Sequence, residues 1–268
     1  MIDARSLIGT HDVLMVTLDT LRLDVAEAAI ERGLIPHLQK MLPDGVWERR
    51  HTSATFTYAA HQAFFAGFLP TPQRAGLHER LFAARFPGSE TTGERTFVFD
   101  APDMVSGLAG VGYHTICIGG VGFFNKKSPL GNVLPSLFQE SYWDESLGVT
   151  SAESTENQVR VAIDAIEKLQ RGKRLFLFVN ISALHQPNCI FSPDATADSP
   201  ETQMQALAYV DKHLAALLDY MQKRSPLLCI ISSDHGTAYG DDGYWGHRNP
   251  HHSVWNVPYA EFVLEAVK

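Results

Sequence analysis

Asp234 and His235 stand side by side, two serines after the apolar run 227–231. A second histidine, His247, follows twelve residues after His235, across a loop that holds four glycines. Partly burying a carboxylate beside an imidazole is costly unless a partner compensates. A carboxylate oxygen and an imidazole nitrogen on adjacent residues of a strand-end turn can both reach one divalent ion, which would be such a partner. A salt-bridged or solvated loop is the alternative. Asp19 ends another apolar run, 13–18, and is suited equally to ligating a metal and to capping a following helix. Thr57 precedes the segment 58–66. A hydroxyl at a helix N-terminus lies at the positive end of the dipole, where an incoming anion is also held. An ordinary N-cap is the competing role, and Thr52, Ser53 and Thr55 compete for it. His185, in the run Ala-Leu-His-Gln-Pro-Asn, and His247 are candidates for general acid, substrate-oxygen donor or second-metal ligand, with His251 and His252 behind them. Arg22 could bind an anionic oxygen or pair with Asp24 or Asp19. His114 and His213 read as structural.

The elements that must position these groups are visible as alternating patterns. Short runs rich in β-branched and apolar residues at 13–18, 113–118, 174–181, 227–231 and 259–264 read as strands, the buried ones parallel. Between them, Pro36 opens one helix and 58–66 forms another, stopped by Gly67 and Pro70. Further helices are expected at 102–108, 157–169 and 202–221. Strands alternating with helices predict an α/β chain in one domain, with a mostly parallel sheet covered on both faces. Ligands of such sheets bind beyond the carboxyl ends of the strands. Asp19, His185 and Asp234–His235 all follow strands and should converge there.

Bulk properties narrow the partners. The chain has 268 residues and a formal net charge of −8, so a basic footprint for a nucleic acid polymer is missing. No stretch approaches about 18 apolar residues, and no membrane span is expected. Three cysteines fit no zinc-finger spacing, and with a polar N-terminus unlike a signal peptide they suggest a reducing cytoplasm.

Taken together, these segments resemble the alkaline phosphatase superfamily, in its sulfatase-like and phosphoethanolamine-transferase-like branch. VLMVTLDTLRLDV (13–25) is similar to that branch's opening strand with its metal-binding acid. IPHLQKML (35–42) is similar to its TPNLDRLA helix. TYAAHQAFFAGFLP (57–70) resembles its CxPSRAALLTGRYP nucleophile segment, and counting back from Gly67 puts Thr57 at the nucleophile. ALHQP (183–187) is similar to GSHGP, ALAYVDKHLAALL (206–218) to the helix before the last metal motif, and SDHGTAYGDDGYWGH (233–247) to SDHGESLGENGxYLH. The resemblance implies a three-layer αβα sandwich and one divalent ion, zinc first and manganese second, held by Asp19, Thr57, Asp234 and His235. His185 and His247 would face the substrate or hold a second ion. Sulfatases need Cys or Ser in Cys/Ser-x-Pro-x-Arg, and here the pentad is Thr57-Tyr58-Ala59-Ala60-His61. Threonine cannot form their aldehyde, which turns the expectation to phosphoryl chemistry. His61, at the arginine's place, and Arg22 are the candidates for binding a small anionic phosphoester.

The expected reaction is displacement at phosphorus by Thr57, giving a phosphomonoesterase or phosphodiesterase, or a transferase. The alternatives are a sulfate-ester or phosphonate hydrolase and a catalytically silent binding protein of the same fold. Loops at 71–95, 119–135 and 186–200 would set specificity. Phe123, Phe124, Lys126 and Lys127 either touch substrate there or belong to a solvated loop.

Overall fold

The computed structural model describes residues 2–67 and 103–267. The expected loop at 71–95 lies outside them. Nine strands run in chain order: β1 (Asp12–Leu18), β2 (Glu48–His51), β3 (His114–Ile118), β4 (Glu140–Tyr142), β5 (Leu175–Ile181), β6 (Leu227–Ser232), β7 (Ala238–Tyr239), β8 (Trp245–Gly246) and β9 (Asn256–Leu264). The helices are α1 (Leu23–Glu31), α2 (Pro36–Met41), α3 (Thr57–Ala66), α4 (Met104–Gly110), α5 (Pro129–Val133), α6 (Ser154–Glu167), α7 (Pro200–Arg224) and α8 (His252–Trp255).

Seven strands make one sheet in the order β2-β9-β6-β1-β5-β3-β4. β1 pairs in parallel with β5 and with β6, and β3 in parallel with β5 and β4, whereas β9 is antiparallel to both of its neighbours. The alternation of side chains along a strand splits the interior into two layers. Leu14, Val16 and Leu18 of β1 join the core beneath α1, α2, α6 and α7. Val13 and Met15 join Phe65 of α3, Val105 and Leu108 of α4, and Phe176 and Phe178 of β5 on the other face. Each large side chain sealed this way contributes about 1.5–3 kcal/mol over an exposed one. The expected three-layer α/β architecture is therefore the observed one.

Two details serve the site. Gly67, at φ 75°, ends α3 in the left-handed conformation that glycine adopts freely, and its amide donates to Ala63 O at 2.9 Å. α7 begins with a capping box between Ser199 and Thr202, has Pro200 in its first turn and carries Lys223 and Arg224 in its last. The loop residues offered as substrate contacts are placed otherwise. Phe124 is buried in the core beside Phe178, Phe123 packs on Tyr58, Lys127 pairs with Glu145, and Lys126 donates to Ser141 O. Among the described residues no helix is long and apolar enough to cross a membrane.

Candidate metal centre and active site

β1 lies between β5 and β6, and all three run the same way, so their carboxyl ends open at one place. Asp19 follows β1, the segment 182–185 follows β5, and Ser233-Asp234-His235 follows β6. The Asp19 amide continues the ladder by donating to Ile181 O at 3.2 Å, which fixes the start of this edge. Asp19, Asp234 and His235 are fully buried, and each offers a ligand atom within 4.8 Å of the others.

The two carboxylates are each half-satisfied. Asp19 Oδ2 accepts from the Asn180 amide at 3.0 Å, while Oδ1 has no partner. Asp234 Oδ1 accepts from the amides of Thr20 (3.2 Å) and His235 (3.1 Å), while Oδ2 has no hydrogen-bond donor. Burial, followed by the facing Asp234 charge, pushes Asp19 up to about 6. Burial also pushes Asp234 up to about 7, against the pull of its amide donors. Two buried carboxylates, each with an orphaned oxygen aimed into the same space, are what a divalent cation would compensate.

His235 completes the donor set in the right tautomer. Its Nδ1–H donates to Gly236 O at 2.8 Å, leaving the Nε2 lone pair turned inward, 3.5 Å from Asp234 Oδ2. Burial pushes its pKa down, which keeps the ring neutral and able to ligate. Thr57, 2% exposed and the first residue of α3, donates its hydroxyl to that Nε2 at 3.2 Å. Among the described residues no side chain caps α3, whose N-terminus, the positive end of its dipole, lies at Thr57 where an anion would be held. The backbone around the set is tightly built. A Cβ on Gly236 would sit 1.9 Å from Ser253 O, so only glycine lets the turn close on α8. Thr20 is left-handed at φ 64°, and its hydroxyl donates to Leu184 O at 3.0 Å. Such a β-branched outlier costs on the order of 1–3 kcal/mol and belongs to a site that over-determines it.

His185 and His247 come to the same place. The rings of His235 and His247 are 4.7 Å apart, and those of His247 and His185 are 6.0 Å apart. His185 Nδ1–H donates to Gln186 O at 2.7 Å, which leaves Nε2 free. His247 Nδ1 is buried without a partner, and burial together with the neighbouring His235, His185 and Arg248 pushes this ring down to about 3.

The sulfatase family model matches residues 11–260. The chain belongs to the sulfatase family. Proteins of this family and the surrounding alkaline phosphatase superfamily act on sulfate or phosphate esters and bind divalent metals. The sulfatase-family chain is similar in structure to the soluble domain of lipooligosaccharide phosphoethanolamine transferase A from Neisseria meningitidis. That match has 15% identity and a TM-score of 0.67 over 96% of this chain and 78% of that one. It is similar to the C-terminal periplasmic domain of EptC from Escherichia coli, solved as a complex with Zn, at 14% identity and a TM-score of 0.65, covering 96% and 74% of the two chains. A protein in the alkaline phosphatase superfamily from Vibrio parahaemolyticus matches at 18% identity and a TM-score of 0.60, covering 97% and 62%. No curated protein matches the chain by sequence.

Two candidates of this sulfatase-family site are placed where they cannot meet a substrate. Arg22 is buried, and its five N–H donors are all engaged: by Asp24 at 2.8 and 2.6 Å, by Asp241 at 2.8 and 3.0 Å, and by Thr237 O at 3.4 Å. It staples the loop after β6 to the start of α1. The pairing with Asp24 weighed above is real, and none is formed with Asp19. His61 is sealed beneath Thr57. Its Nδ1–H donates to Thr57 O at 2.7 Å, its Nε2 accepts from Thr17 Oγ1 at 3.1 Å, and Phe64, Phe65, Phe124 and Phe178 enclose it. Burial holds it neutral, with its pKa at about 3. It orients the Thr57 backbone instead of touching solvent.

Sequence reasoning missed Asn180, Thr20 and Arg248, and weighed Thr52 only as a rival of Thr57 at the helix start. Thr52 donates to Asp234 O, and Arg248 lies next to His247 with its guanidinium 5.4 Å from the Phe56 ring. The legible signal was Asn180, a polar residue inside the otherwise apolar run of β5.

A pH dependence follows. Both carboxylates ionise higher in the folded protein than in the unfolded chain, where aspartate titrates near pH 4. In the metal-free protein the contribution of these two carboxylates is therefore full below that pH and is lost as pH rises to about 7. Metal binding must displace the retained protons. The rise in Tm on adding zinc to chelator-stripped protein is expected to be small near pH 5 and large near pH 8, by differential scanning fluorimetry. An equal rise at both would contradict the placement of these two carboxylates.

Proposed function

We propose that the protein is a metal-dependent hydrolase or transferase of phosphoric esters, working through Thr57. The observation that carries the reading is the buried Thr57 hydroxyl held 3.2 Å from His235 Nε2. That nitrogen shares its space with the orphaned oxygens of Asp19 and Asp234. A mixed nitrogen and carboxylate donor set in the neutral tautomer suits zinc, with manganese second, and the Zn complex of the EptC domain supports that order. Asp19, Asp234, His235 and Thr57 would hold the ion. Once bound, it would supply the positive charge that lowers the pKa of a hydroxyl and polarises an ester oxygen.

The protein's own groups do the rest. Thr57 Oγ1 is positioned by the helix start and by burial, so little orientational freedom remains to be lost on reaction. A bond forms from Oγ1 to phosphorus while the ester P–O bond breaks, and the first-turn amides of α3 face the developing charge. The leaving alkoxide needs a proton. His247 is held neutral far below working pH and can offer only a neutral N–H to a substrate oxygen. His185, partly exposed with Nε2 free, is the better relay: it takes the proton that Thr57 loses and passes it to the leaving alkoxide, then takes one from the water or acceptor hydroxyl that attacks phospho-Thr57 and returns it to Thr57 Oγ1 as that P–O bond breaks. Threonine also supports phosphoryl over sulfuryl chemistry, because it cannot be oxidised to the sulfatase aldehyde.

The test is a panel of aryl phosphate monoester, phosphodiester, phosphonate and sulfate on the zinc- and manganese-loaded protein. Turnover of a phosphate ester, abolished by chelation and restored by metal, is expected. Turnover of the sulfate alone, or of nothing with metal bound, would overturn the proposal.

A further inference from the structure

Positive charge facing the substrate is scarce among the described residues. Arg22 has every donor engaged, His61 is sealed under Thr57, and His247 is neutral. Arg248 differs from all three. It is exposed, and no carboxylate of the described residues lies within ion-pairing distance of its guanidinium. Its backbone is held in place: the amide donates to Thr55 O at 2.9 Å, and φ is 68°, in the left-handed region that residues with side chains rarely adopt. Strain of this kind persists where the surroundings over-determine it.

The guanidinium lies over Phe56, 5.4 Å from the ring centre, and Phe56 caps α3 directly before Thr57. A guanidinium resting on an aromatic face keeps its N–H groups at its edges, in the fork that fits two oxygens of a phosphate. The bond from Arg248 N to Thr55 O and the contact with Phe56 tie the segment carrying His247 to the two residues just before Thr57.

We infer that Arg248 is an oxyanion-binding residue that receives the non-bridging oxygens of a doubly charged phosphoryl group presented to Thr57. It thereby sets a preference for phosphate monoesters over singly charged diesters and sulfate esters. The inference rests on the phosphoester reading of the site, and binding measured without turnover separates the two.

The experiment uses the zinc-loaded full chain, with Arg248→Ala and Arg248→Lys. Inorganic phosphate is titrated calorimetrically. kcat/KM is measured on an aryl phosphate monoester and on its methyl diester with the same leaving group. Loss of one charge-assisted contact is expected to weaken phosphate binding by about 10- to 100-fold in Arg248→Ala, with partial recovery in Arg248→Lys. The monoester should lose at least about tenfold more than the diester. Zinc content and Tm, checked in each variant, should stay close to the parent protein, because Arg248 is exposed and forms no ion pair among the described residues. Unchanged phosphate affinity, equal losses on both esters, or a parent protein that does not bind phosphate would each overturn the inference. If the parent turns over neither ester but Arg248→Ala still loses phosphate affinity, the reaction proposed above fails and the anion site stands.

Discussion

Thr57→Ala is expected to lower kcat on an activated phosphate ester by about four orders of magnitude, in line with removal of a nucleophile that works as part of a unit. The fold should survive. Thr57 is the first residue of a helix that needs no side-chain cap, and its hydroxyl makes one hydrogen bond, to His235 Nε2. Losing that bond costs about 1 kcal/mol, and alanine is a better helix former than threonine. Zinc should remain bound at saturating concentration, though more weakly, because the three charged or imidazole ligands Asp19, Asp234 and His235 are untouched. The informative result is therefore the combination of inactive, folded and metal-bound. Acid quenching of the parent protein during turnover, followed by mass spectrometry, should find phosphate on Thr57. Near-parental turnover by the variant would remove Thr57 as nucleophile, and the phosphorylated residue would then name its replacement.

Asp234→Asn is expected to separate function from stability. The amide keeps an oxygen for the Thr20 and His235 N–H groups that Asp234 Oδ1 now serves. Its nitrogen takes the place of Oδ2, which has no donor in the parent, and can donate to the orphaned Asp19 Oδ1. One negative charge leaves a fully buried pair. Metal-free variant should therefore be more stable than metal-free parent near pH 8, by on the order of 1 kcal/mol. Zinc affinity should fall by more than about 100-fold, because the loss of a direct ligand exceeds the effect of removing an outer partner. Activity should fall with it. Thermal melts with and without zinc read both effects. A variant that is less stable without metal, or that keeps its zinc, would show that Asp234 does not stand in a strained, cation-seeking pair.

Much of this was legible in the sequence because the informative residues lie at element boundaries. β1, β5 and β6 announce themselves as apolar runs, and the carboxylates and histidines at their ends suit a metal site as well as a cap or a solvated loop, so it was their convergence on one sheet edge that singled them out. Gly67 fixed the count back to Thr57, and it ends α3 in the conformation for which glycine is needed. Weaker patterns escaped. α1 has no capping side chain and buries two alanines beside its leucine and valine, too faint a stripe to stand out. β2 reads Glu-Arg-Arg-His and lies at the sheet's edge, where no apolar alternation is required. Arg22 and His61 show a different limit. Their residue types suit anion binding, but the partners that satisfy them are tertiary: Asp241 lies 219 positions from Arg22, and Thr17 lies 44 from His61. Arg248 was hidden for the same reason, since its worth depends on Phe56 and Thr55 from a distant segment.

The most direct test of the central claim is anomalous diffraction at the zinc edge from crystals grown with zinc. One peak is expected within about 2.0–2.2 Å of a carboxylate oxygen of Asp19 and of Asp234 and of His235 Nε2, with Thr57 Oγ1 turned toward it. A peak held by other residues, or none at all while those four side chains lie apart, would contradict it.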